Sequence, residues 1–251
     1  MAINRKSREE IKLMKEAGHV VALVHKKMKE IITPGISTKE LDDVAMQIIK
    51  QNKCIPTFLG YNGYPACICA SINEQVVHGI PSEKAILKEG DIISVDVGAT
   101  FRGLVGDSAW TYPVGNISDD LKKLLTTTEK SLFAGIAQMK EMNPLENVGG
   151  AIEDVANEAH LGIVREYGGH GVGRQMHEEP FVYNYRKNTH VILRKGMTIA
   201  IEPMLNLGCD EVYTLPDEWT VVTADAKASA HFEHTVLVTE DEPVILTKLH
   251  D

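Results

Sequence analysis

Four acids and one histidine stand where they could hold cations. Asp96 closes the apolar run Ile92-Ile93-Ser94-Val95, and Glu202 closes Thr198-Ile199-Ala200-Ile201. Both runs read as strands, and an ionised carboxylate buried there without a partner costs several kcal/mol. Asp107 lies on the next strand after Asp96, across a turn at Phe101-Arg102-Gly103, so the two side chains can converge between paired strands. Glu233 falls on a strand neighbouring that of Glu202, and His170 sits in Gly168-Gly169-His170-Gly171-Val172-Gly173. Four carboxylates balance two divalent cations. A set rich in oxygen with one imidazole argues against structural zinc, which favours cysteine and histidine. It suits Mn, Fe or Co at least as well as Zn. Two such ions about 3.5–4 Å apart lower the pKa of a shared water and polarise a carbonyl, which is amide-hydrolysis chemistry.

The elements that must position these groups come in two similar sets. Leu87-Lys88-Glu89-Gly90-Asp91 leads into the Asp96 strand as Leu193-Arg194-Lys195-Gly196-Met197 leads into the Glu202 strand, without a gap. Upstream, Leu41-Asp42-Asp43-Val44-Ala45 resembles Ile152-Glu153-Asp154-Val155-Ala156, each after a turn with proline (Pro34, Pro144). The expectation is a single domain over 1–251, duplicated at about 1–115 and 116–251. Helical spacing of Ile11, Met14, Ala17, Val20, Val21, Val24 and Met28 predicts a helix within 6–33. A capping box, Ser37 to Glu40, starts a second helix that ends near Asn52. Further helices are expected near 118–140 and 146–166. Strands are expected near 67–73, 91–99, 105–113, 197–204, 219–223 and 232–239. The fold class is α+β, with helices on one face of a mainly antiparallel sheet.

Two more histidines sit at constrained turns, His78 in Val77-His78-Gly79-Ile80-Pro81 and His177 in His177-Glu178-Glu179-Pro180. Such loops often carry catalytic groups. The glycines around His170 show neither dinucleotide nor Walker spacing, which excludes a nucleotide loop. Cys54, Cys67, Cys69 and Cys209 give no C-x-x-C spacing and read as reduced thiols, with Cys67 and Cys69 on one strand face. A net charge of −9 over 251 residues argues against a broad or sequence-specific nucleic-acid footprint. Neither a signal peptide nor an apolar run of about 18 residues is visible. A cytoplasmic protein with no membrane partner is expected.

These phrases together resemble a known family. Val77-His78-Gly79-Ile80-Pro81, Ser94-Val95-Asp96-Val97-Gly98, Gly106-Asp107-Ser108, the glycine-rich run to Gly173, His177-Glu178-Glu179-Pro180, Ile201-Glu202-Pro203-Met204 and Phe232-Glu233-His234-Thr235 occur in the order found in type I methionine aminopeptidases of the compact prokaryotic kind. The resemblance implies the pita-bread fold, with two halves related by a pseudo-twofold axis. It implies that Asp96 holds one metal ion, that His170 and Glu202 hold a second, and that Asp107 and Glu233 bridge the pair. The ions could be Co, Mn, Fe, Zn or Ni. By the same resemblance a bridging hydroxide attacks the methionine carbonyl. Glu202 shuttles the proton, His177 stabilises the oxyanion and His78 contacts the scissile amide. Phe58, Tyr61, Tyr64, Cys69 and Trp219 form the methionine pocket. The implied substrates are nascent polypeptide N-termini with a small second residue, and the implied state is a monomer.

The chain departs from the family pattern in three places. Phe58 stands where many bacterial members carry cysteine, and Met176 where many carry phenylalanine. Segment 205–227 carries Asp210, Glu211, Asp217, Glu218 and Asp225 against the single Lys227, which argues against docking on ribosomal RNA through this loop. The basic residues Arg5, Lys6, Arg8, Lys12 and Lys15 are read as a solvated face. Two alternatives follow from the same residues. A proline-directed aminopeptidase or prolidase would bring a separate N-terminal domain, and a catalytically silent binding protein would have lost ligands that are all present here.

Overall fold

The computed structural model describes residues 3–249, so the ends of the expected 1–251 domain lie outside it. Four helices form where spacing and caps place them: α1 (Arg8–Ile31), α2 (Thr38–Gln51), α3 (Asp119–Ile136) and α4 (Glu146–Ala159). The Ser37 hydroxyl accepts the Glu40 amide at 3.2 Å, and the Glu40 carboxylate accepts the Ser37 amide at 2.8 Å. Ser7 and Glu10 make the same reciprocal cap on α1. Helix α4 is shorter than the predicted 146–166. His160 takes a left-handed conformation (φ 58°), and the chain then enters the strand Gly162–Ile163, where a Cβ on Gly162 would lie 2.5 Å from the Gly208 carbonyl oxygen.

In the first half, the strand Ile92–Phe101 pairs antiparallel with Ile68–Ile72 on one side and Leu104–Pro113 on the other. The second half contains a five-stranded sheet in the order Val244–Ile245, His234–Leu237, Thr198–Ile201, Gly169–Gly171 and Glu178–Val182. Alternation sorts each strand into two faces. Ile93, Val95, Val97 and Ala99 pack under α1 and α2, while Ile199 and Ile201 pack with residues of α3 and α4. Asp96 and Gly98 point the other way. The helices therefore cover one side of the sheet and leave the opposite side for chemistry.

The halves meet along a seam between Asp107–Ala109 and Glu233–Thr235. Thr235 Oγ accepts the Asp107 amide at 3.1 Å and donates to the Asp107 carbonyl at 2.8 Å. The Ser108 hydroxyl donates to the Glu233 carbonyl at 2.6 Å, and the Glu233 amide donates to the Ala109 carbonyl at 2.8 Å. Both halves also build the same turn before their central strand. Leu87 exchanges backbone hydrogen bonds with Gly35 and Ile36, as Leu193 does with Met142 and Asn143. Gly90 and Gly196 both adopt positive φ (92° and 89°) and donate to Val114 and Val238 at 3.0 Å.

Two side-chain placements differ from expectation. Lys6 is buried, not on a solvated face, because its ammonium reaches Glu178 at 2.7 Å. Cys67 and Cys69 do not share a face. Cys67 precedes the 68–72 ladder and joins the core under α1 and α2, whereas Cys69 lies within the ladder and faces away from it.

Candidate metal centre

A cavity of about 650 Å³ opens on the face opposite the helices, and every candidate residue lines it. Its floor is the acid cluster. Asp96 stands directly across from Cys69 on one side and Ala109 on the other, and Asp107 stands across from Gly98, on the same face and one pleat along. Glu202 follows the strand ending at Ile201, and Glu233 precedes the strand beginning at His234, which pairs with Ile201. The seam therefore brings one carboxylate from each half, Asp107 and Glu233, to the middle.

Ligand atoms of Asp107, His170 and Glu233 all fall within 4.8 Å of one another. His170 Nε2 lies 3.7 Å from Asp107 Oδ2 and 3.4 Å from Glu202 Oε1. The Asp107 carboxyl interacts electrostatically with both Asp96 and Glu233. All five expected ligands are thus brought together, from four strands or strand ends and one glycine-rich segment.

The electrostatics are those of a site built for positive charge. Burial, and then the neighbouring Asp107, pushes the Asp96 and Glu233 carboxyls well above the usual carboxylate range. Glu202 is raised by burial and by Asp107 and Asp96. Burial raises Asp107 to about 7. Oδ1 of Asp96, Oδ1 of Asp107 and Oε1 of Glu233 are buried without a hydrogen-bond partner. A buried acceptor left unmatched is costly, and divalent cations would satisfy all three. His170 fits the same reading. Its Nδ1 lies 2.9 Å from the Gly171 carbonyl, so Nδ1 carries the proton and Nε2 presents a bare lone pair to the carboxylates. Burial lowers its pKa to about 3, which keeps the ring neutral, as a metal ligand must be.

The glycines of the 168–173 run act through what they lack. A Cβ on Gly169 would lie 2.2 Å from the Ala200 carbonyl oxygen, and one on Gly171 would lie 2.2 Å from that of Glu179. Only bare backbone lets the His170 strand fit between its two neighbours.

The cavity walls hold the remaining candidates. Tyr64 donates its hydroxyl to the Ile68 and Gly79 carbonyls (3.0 and 2.9 Å) and meets the Trp219 ring edge-on at 5.0 Å. Phe58 covers Gly98, whose Cβ would strike the ring at 2.6 Å. The acids of the 205–227 segment shape its turns. Asp217 accepts the Trp219 and Thr220 amides, Asp210 accepts the Ile163 amide and pairs with Arg165, and Asp225 accepts the Cys209 amide. His78 has positive φ (60°), a costly conformation that clusters at functional sites, and burial lowers its pKa to about 4. His177 Nδ1 lies 2.8 Å from the Tyr61 hydroxyl, and its ring centre lies 4.3 Å from that of His170, tilted by 54°.

Sequence reasoning missed two wall residues. His231 is buried, with Nε2 unpartnered and 3.8 Å from Glu202 Oε2. The two-residue strand period places it on the face of Glu233 and was the available signal. Tyr167 meets His78 edge-on at 5.6 Å and carried no comparable signal.

A buried acid cluster of this kind, beneath a cavity on the pita-bread fold, defines a metallopeptidase. The model of "Metallopeptidase family M24" matches residues 12–240. Methionine aminopeptidase 1 of Bacillus subtilis is 52% identical over 245 residues, covering 97% of this chain and 98% of that protein. The crystal structure of a methionine aminopeptidase from Thermotoga maritima superposes with a TM-score of 0.97 at 42% identity, covering 98% of this chain and 100% of that one. The Xaa-Pro dipeptidase from Bacillus anthracis shares the fold (TM-score 0.77) at 21% identity, and this chain covers only 62% of it. The chain belongs to metallopeptidase family M24, and within it to the methionine aminopeptidases.

Proposed function

We propose that this metallopeptidase removes the initiator methionine from nascent polypeptides and peptides whose second residue is small. The observation that carries the reading is a five-ligand acid and imidazole cluster at the floor of a cavity walled by Phe58, Tyr61, Tyr64, Cys69 and Trp219. In this reading Asp96 would hold one divalent ion and His170 and Glu202 another, with Asp107 and Glu233 shared between the two. When bound, the ions supply a more acidic water and polarise the amide carbonyl. Co, Mn, Fe, Zn or Ni could serve, since oxygen and imidazole donors accept each of them.

The protein's own groups do the rest. The aromatic walls and Cys69 enclose a flexible, polarisable thioether side chain. Glu202, whose carboxylate lies 3.4 Å from His170 Nε2, accepts the proton of the attacking water and passes it to the departing amine. His177, held by the Tyr61 hydroxyl, faces the carbonyl oxygen as negative charge develops. His78 contacts the scissile amide. The methionine C–N bond breaks, with hydroxyl going to the methionine carbonyl and hydrogen to the new N-terminus.

The enzyme acts as a cytoplasmic monomer on nascent chains. Among the described residues no helix is long and apolar enough to cross a membrane. The acids of loop 205–227, with Lys227 only 3.8 Å from Asp225, argue against ribosome docking through that loop. The matching turns at Leu87 and Leu193 favour one catalytic domain over 1–251, duplicated at about 1–115 and 116–251.

Met-Ala-Ser is expected to be cleaved with added metal, while Met-Lys-Ser and Ala-Pro-Ala react at least ~10²-fold more slowly, because a misfit side chain forfeits transition-state binding. Preferred cleavage of Ala-Pro-Ala would replace this reading with a proline-directed one.

A further inference from the structure

One buried ion pair takes no part in the chemistry above. Lys6 Nζ lies 2.7 Å from Glu178 Oε2, with the two side chains only 3% and 7% exposed. Glu178 Oε1 also accepts the amides of Arg174 (2.8 Å) and Gln175 (3.1 Å). A single carboxylate therefore ties the segment before α1 to the turn 173–178. The Lys6 amide is itself anchored to the Gly196 carbonyl at 2.6 Å. A second tie runs parallel, because Glu10 in the first turn of α1 holds the Arg174 guanidinium at 2.8 Å. The turn carries Met176 and His177 into the cavity wall.

Gly173 shows that the turn is shaped around the lysine. A Cβ there would lie 2.0 Å from Lys6 Cε and 2.6 Å from Nζ. Its φ is not in the left-handed region, so the position uses the missing side chain and not backbone freedom. The last glycine of the 168–173 run thus makes room for the Lys6 stem.

We propose that the Lys6–Glu178 pair is a positioning device that fixes the 173–178 turn and, through it, the reach of His177 toward the substrate carbonyl. The proposal rests on the aminopeptidase reading. A buried pair adds little stability over well-packed apolar groups, since desolvation offsets the attraction. What it fixes is the path of the backbone. A shift of about 1 Å in a positioned catalytic group costs on the order of 10²-fold in rate.

The test compares Lys6→Ala, Gly173→Ala and the double variant with the wild-type protein. Turnover of Met-Ala-Ser, binding of Mn by calorimetry and the ¹⁵N ring signals of His177 are measured in each. Each single change is expected to lower kcat by about 10–100-fold, with KM and Mn binding within roughly threefold of wild type. In the double variant the added methyl meets no lysine but still lies 3.0 Å from Glu178 Oε1, so its loss should fall short of the two single losses combined. Unchanged kcat in folded Lys6→Ala, or additive losses in the double variant, would overturn the proposal. So would a fall in Mn binding in step with kcat, which marks general loosening. If the wild-type protein releases no methionine, the aminopeptidase reading fails. The pair is then judged on the His177 signals, which shift in Lys6→Ala if it positions that ring and stay in place if it does not.

Discussion

Replacing Asp107 by asparagine is expected to lower metal-dependent methionine release by at least ~10³-fold, because a metal ion supplies several kcal/mol of transition-state stabilisation that needs its ligands. Asp107 is 2% exposed and stands at the seam between the halves, 3.7 Å from His170 and in electrostatic contact with Asp96 and Glu233. The same substitution should stabilise the metal-free protein above about pH 7, where it replaces a buried ionised carboxylate by a neutral amide. Thermal unfolding with and without Mn reads both effects: the variant melts above wild type in chelator and below it in saturating Mn. Equal Mn binding by the two proteins would contradict the ligand assignment.

The pH dependence follows with a definite sign. Asp107 rises from an ordinary value of 3.8 to about 7 in the folded, metal-free protein, so the folded state holds a proton that the unfolded chain has released. Stability from this group is fully present below about pH 4 and is lost as pH rises through about 7. Metal ions compete with the same proton, so their binding should strengthen over that interval and release protons.

The second large effect is expected at His177. Changing it to alanine should lower kcat by about 10²–10³-fold, the scale for deleting one preorganised donor to an oxyanion. Metal binding should remain, since the ring touches His170 at 4.3 Å but is held by Tyr61 and not by the carboxylates. A matching loss of Mn affinity would instead make His177 part of the metal site. Mn calorimetry beside steady-state kinetics separates the two.

The acid cluster is legible in the sequence because its residues interrupt strong patterns. An acid directly after an apolar, β-branched run, twice, has few physical explanations. The helices were equally plain, since spacing and capping boxes are local. The strand of His170 was harder. Its glycines lower strand propensity, and only the distance to Ala200 and Glu179 shows that close backbone packing demands them. Lys6 was misplaced for a related reason. In sequence it belongs to a basic run, and its partner lies 172 positions away. His231 lies just before the Phe232-Glu233-His234-Thr235 phrase, at the end of a three-residue strand too short to show a period of its own. Non-local pairings of this kind become visible only once the seam and the N-terminal segment are in place.

The most direct measurement is methionine release from Met-Ala-Ser by chelator-treated protein as Mn is added back, with Mn binding followed in the same titration. The account predicts no release without metal, activity that rises with occupancy of the Asp96, Asp107, His170, Glu202 and Glu233 cluster, and loss of both in Asp107→Asn. Release that persists in chelator, or Mn binding that leaves Met-Ala-Ser intact, would contradict it.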